Sequence, residues 1–154
     1  MARTHATEPW QETRSEPCST DEALAIAQRH GVEVPVYIRF DVCEDFVPAD
    51  AHASYMMLGL KEGHVGIPWT HCLNLDGQVP VHLRPAVLKS DEAIVAVFAH
   101  EVFEITRLRA AFQASGGVLR AGEIYNLISP AVAGNLHSEA VTLGDTLVLQ
   151  MRDK

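Results

Sequence analysis

With 154 residues and a formal net charge of -8, the chain has the length of one domain and is too acidic for a broad phosphate-tracking surface. An apolar share of 47% beside 21% charged residues is that of a globular chain, which excludes general disorder and fibrous repeats. No stretch reaches about 18 consecutive apolar residues, and Arg3, His5, Glu8 and Glu12 stand where a secretion signal needs an apolar core. Neither membrane insertion, export nor nucleic-acid binding is therefore expected. Cys18, Cys43 and Cys72 are odd in number and lack C-x-x-C spacing, so they read as reduced thiols in a cytoplasmic protein.

In chain order, residues 1–18 are polar apart from Trp10 and read as a mobile leader, followed by a single domain over residues 19–154. Ser19 and Glu22 have capping-box spacing ahead of Ala23, Leu24, Ile26 and Ala27, with Gly31 placed as a stop, which predicts a short first helix. Val36, Ile38, Phe40 and Val42 alternate with Tyr37, Arg39 and Asp41 at the period of a strand. Residues 53–58 are a second candidate strand and 79–84 a third, where Pro80 suggests a sheet edge. Asp76-Gly77 is the best hairpin signal.

The second half is helical. Ser90 caps a helix over 91–114 that begins with Asp91 and Glu92, as the helix dipole favours, and ends at Ser115-Gly116-Gly117. A short helix over 121–128 follows. The last helix, reaching Met151, opens at Ser129-Pro130 unless Gly134-Asn135 delays it. These elements predict an α+β fold: a small, mostly antiparallel sheet packed against the long helix and the C-terminal helix.

On a helical wheel, Ile94, Phe98, Ile105 and Phe112 centre the apolar face of the long helix, flanked by Val97, Val102 and Leu108. Glu101 falls inside that stripe and Glu104 on its shoulder, with His100 at i,i+4 to Glu104. A carboxylate facing a core is costly unless it is paired, protonated or bound to a metal. One arrangement that compensates it is a divalent cation held by His100 and Glu104, with Glu101 placed to take a proton from metal-bound water.

The segment His100-Glu101-Val102-Phe103-Glu104, after a strand and before a further helix, resembles the zincin metallopeptidases, with Glu104 where the usual second histidine stands. The resemblance implies a metal-dependent hydrolase acting on peptide or protein substrates. It makes His100 and Glu104 ligands, Glu101 the general base, and His137 or Glu139 the third ligand, with His137 preferred. Zinc leads as the metal, and the additional carboxylate brings manganese or iron within reach.

Other readings stand beside this one. Glu101 and Glu104 can pair with Arg107, Arg109 or Arg84 and simply rim the core of a non-catalytic binding or assembly module. His71, His82 and His100 with Glu101 offer metal-independent acid-base chemistry, although the acidic balance does not welcome phosphates. His82 alternates with Pro80 and Arg84 and is expected to face solvent, while His71 and Cys72, as strand neighbours, point to opposite faces and make a weak nucleophile pair. The stripe Leu136, Ala140, Leu143, Leu147 and Met151 serves core packing, with a homodimer contact as its alternative.

Overall fold

The computed structural model describes residues 9–55 and 66–154. Helix α1 (Thr20–Arg29) starts at Ser19, whose hydroxyl accepts from Glu22 N while the Glu22 carboxylate returns to the cap. Strand β1 (Ile38–Val42) follows, then β2 (Ala53–Tyr55), β3 (Ile67–Pro68) and β4 (Val79–Leu83). A 3₁₀ turn over Pro85–Lys89 delivers the chain to α2 (Asp91–Ala114), capped by Ser90. Strand β5 (Val118–Leu119), α3 (Ala121–Ile128) and α4 (Leu136–Arg152) complete the order. The fold is α+β, and no described helix is long and apolar enough to cross a membrane.

The sheet corrects two details of the sequence reading. Its order is β1-β4-β2, so β4 is central and Pro80 does not mark an edge. Val79 N donates to Tyr37 O, just ahead of β1, so the nitrogen of Pro80 faces away from β1. Among the described residues two of the three strand pairings are antiparallel, but the longest, β1 with β4, is parallel. Asp76-Gly77 forms a turn rather than a hairpin: Gly77 has φ +76°, and the Asn74 side chain accepts from Asp76 N and Gln78 N just before β4. Of the predicted strand 53–58, residues 56–58 lie outside the described residues.

Register places Phe40, Val81 and Tyr55 side by side across the sheet. This row faces α2: Phe40 stacks on Phe98 with ring centroids 3.9 Å apart, and Tyr55 reaches Glu104. Packing explains why α2 is buried on nearly every side from Glu92 to Glu101, since α1 and α4 also lie against it. A fully buried side chain such as Phe98 contributes roughly 1.5–3 kcal/mol by its removal from water.

Three points fix α4 antiparallel along α2. Arg152 forms hydrogen-bonded ion pairs with Glu92 at 2.8 Å, and Gly144 lies against the backbone of Ala96. His137 meets His100 and Glu104 at the other end. Leu143, Leu147 and Met151 pack on the core, as the stripe on this helix predicted. The described part of the leader is docked: Trp10 packs on the core, Gln11 N donates to Glu92, Thr13 N and Arg14 N to Lys89 O, and Cys18 N to Leu88 O.

Candidate metal centre

His100, Glu101 and Glu104 lie in the middle of α2, where i,i+4 spacing puts His100 and Glu104 on one face. His137 comes from the first turn of α4. Gly134, at φ +73°, turns the chain into Asn135, whose side-chain oxygen accepts from Ser138 N. The Asn135 amide also donates to Asn126 O and Ser129 O, tying the loop before α4 to the end of α3. The delayed start at Asn135, not Ser129-Pro130, therefore orients His137 inward.

One carboxylate oxygen organises the cluster. Glu104 Oε2 lies 3.1 Å from His100 Nε2 and 3.1 Å from His137 Nδ1. The other oxygen, Oε1, accepts from the Tyr55 hydroxyl at 2.5 Å. Glu101 Oε2 stands 3.5 Å from His100 Nε2. All four of His100, Glu101, Glu104 and His137 are at most 4% exposed.

Burial opposes the charge on Glu104, yet hydrogen bonds from His100 and His137, with Tyr55, hold its carboxyl well below the usual range. Among the described residues Glu101 has no such donors. Burial and the nearby Glu104 charge outweigh His100 and push it up to about 7. Burial pulls the His100 imidazole down, but its bond to Glu104 and the two carboxylates win, so it is raised. The Tyr55 hydroxyl is driven well above its ordinary range by burial and by Glu104, and it stays a neutral donor.

The donor set fits a divalent cation. One ligand atom each from His100, Glu104 and His137 falls within 4.8 Å of the others. The two separations of 3.1 Å are close to the edge, about 3.4 Å, of a tetrahedron with ligand distances near 2.1 Å. His137 Nε2, the ring nitrogen turned away from Glu104, is buried with no hydrogen-bond partner among the described residues.

The remaining candidates fall elsewhere. Glu139 is exposed and His71 is exposed, while His64 lies outside the described residues. His82 is neither in the cluster nor fully solvated: it sits on the far face of β4 with the Phe46 ring at 4.9 Å. His71 and Cys72 occupy a 3₁₀ turn rather than a strand, and burial pushes the Cys72 thiol up to about 12, unsuited to nucleophilic work at neutral pH. The expected arginine partners go to other tasks. Arg107 lies over Phe103, Arg109 lies over Tyr37, and Arg84 takes the carbonyls of Val47, Pro48 and Ala51.

Tyr55 was not foreseen from sequence. Its only signal is a hydroxyl-bearing aromatic on the same strand face as Ala53, and that pattern does not say which helix the face meets. No family model, curated protein or solved structure gives a significant match to this chain.

Proposed function

We propose that this chain is a metal-dependent hydrolase in which His100, Glu104 and His137 hold one divalent cation and Glu101 is the general base. The observation that carries the reading is the convergence of three buried donors from two helices, with a fourth ionisable group beside them. A cation there would supply Lewis acidity, polarising a carbonyl and easing the deprotonation of water. Glu101 accepts that proton and returns it to the leaving group, a task suited to a buried carboxyl standing beside the three donors. Glu104 keeps its negative charge as the third ligand, and Tyr55 holds it through its other oxygen.

Two imidazoles and one carboxylate suit zinc first, and manganese or iron next. Peptides are the substrate class, on the resemblance of the His100–Glu104 segment and its downstream ligand to the zincin metallopeptidases. The proposed setting is cytoplasmic, where Cys18, Cys43 and Cys72 stay reduced.

Elemental analysis of untagged, chelator-free protein tests the reading. About one equivalent of metal is expected in the wild type and none in His100→Ala. Glu101→Gln should retain the metal and lose cleavage of a fluorogenic peptide library. A metal-free wild type that added zinc, manganese or iron does not stabilise would refute the proposal, leaving the cluster as a hydrogen-bonded core network.

A further inference from the structure

Tyr55 stands on β2, outside both helices that carry the proposed ligands, yet its hydroxyl donates to Glu104 Oε1 at 2.5 Å. The two imidazole nitrogens approach the other oxygen, Oε2. The two oxygens of one carboxylate are thereby assigned different partners. An oxygen that accepts a hydrogen bond from a buried hydroxyl has one of its two lone pairs committed to that donor. It is a poor second ligand for the cation that Oε2 would face.

We propose that Tyr55 is a positioning residue that restricts Glu104 to one-oxygen coordination and so sets the metal preference of the site; this rests on the metal-centre reading above. One oxygen and two imidazoles make three protein ligands, the number found in open tetrahedral zinc sites. A carboxylate free to bind through both oxygens would raise the coordination number and suit harder, larger cations such as manganese. Register supports a fixed role, since Tyr55 pairs with Val81 of the central strand β4 and does not depend on a surface side chain. It is 7% exposed, so replacement by phenylalanine keeps the packing volume and removes only the hydroxyl.

The test compares wild type with Tyr55→Phe, using zinc, manganese and cobalt(II) alone as probes. Outer-shell partners typically contribute about 10–100-fold in metal affinity. The variant is expected to lose zinc affinity on that scale while its manganese affinity holds or rises, so the zinc-to-manganese preference narrows. Cobalt(II) reports coordination through its visible bands, intense in four-coordinate sites and weak in six-coordinate ones. The wild type should give intense bands and Tyr55→Phe weaker ones.

Unchanged zinc affinity and an unchanged cobalt spectrum in a folded Tyr55→Phe would overturn the role of Tyr55 while leaving the metal site intact. Should the variant fail to fold, the wild-type cobalt spectrum still decides, because weak bands of a higher-coordinate ion contradict one-oxygen binding by Glu104. A wild type that binds none of the three ions, with His100→Ala indistinguishable from it, would overturn both readings.

Discussion

Gly144 is where the α2–α4 pairing is least tolerant of added volume, and Gly144→Val probes it directly. A Cβ at this position meets Ala96 O at 3.0 Å and Ala96 Cα at 3.5 Å. The obstacle is helical backbone, which cannot rotate away as a side chain would, so the cost belongs in the upper part of the overpacking range, about 2.5 kcal/mol. Replacing a helical glycine by valine recovers about 0.5 kcal/mol of propensity. The net loss is about 2 kcal/mol, a fall in Tm of roughly 4–8 °C for a domain of this size. Gly122, in the first turn of α3, has nothing within 4 Å of its added Cβ, so Gly122→Ala should raise the Tm slightly by reducing unfolded-state entropy. Thermal unfolding followed by circular dichroism measures both. A Gly144→Val protein melting at or above the wild-type temperature would refute the claim that this contact sets the helix spacing.

Asn135→Ala removes the cap of α4 together with two amide bonds to the α3 end, and should cost about 1–2 kcal/mol in chemical denaturation. Because His137 lies two residues on, the same variant should bind metal more weakly than wild type in a chelator competition. Glu92 provides the pH test: hydrogen bonds from Arg152, reinforced by Gln11 N against the effect of burial, hold its carboxyl below its ordinary 4.5. A depressed folded-state pKa gives stability that is present above the unfolded value and lost as pH falls through the folded one. The stability difference between wild type and Glu92→Gln, measured by urea unfolding, should thus be full near neutrality and shrink below pH 4.5; a difference independent of pH would contradict it.

What could be read from the sequence was the part specified locally. Helix α2 runs over the predicted residues 91–114 and α3 over 121–128, because caps and stops are written within a few residues of each end. Strand partners are not written that way. Alternation in β1 and β4 marks their buried faces, but nothing in it distinguishes parallel from antiparallel pairing or places Pro80 in a central strand. The choice between His137 and Glu139 follows from where α4 starts. Two residues apart on a helix, they point about 200° from one another, so an inward His137 sends Glu139 to solvent. Spacing also allowed Arg107 to pair with Glu104, yet the guanidinium lies over Phe103, 4.7 Å from the ring centre. Sequence distance permits such contacts, and packing selects among them.

The cost of the cluster bears on its purpose. Four ionisable side chains and a tyrosine hydroxyl are withdrawn from water together, in an interior built mainly of Val, Ile, Leu, Phe and Ala. Apolar residues of similar volume fill such a space at no electrostatic cost, and replacing buried ion pairs by them is often neutral or stabilising by about 1–4 kcal/mol. Glu104 is well provided for, with three donors on its two oxygens. Glu101 and His137 are not: the carboxyl of Glu101 stands 3.5 Å from His100 Nε2 and is pushed up to about 7, and His137 Nε2 meets no partner among the described residues. A network serving stability alone gains nothing from two incompletely satisfied groups at its centre. The proposed site does, because the carboxyl of Glu101, beside the three donors and with no close donor among the described residues, is the group left to take up a proton.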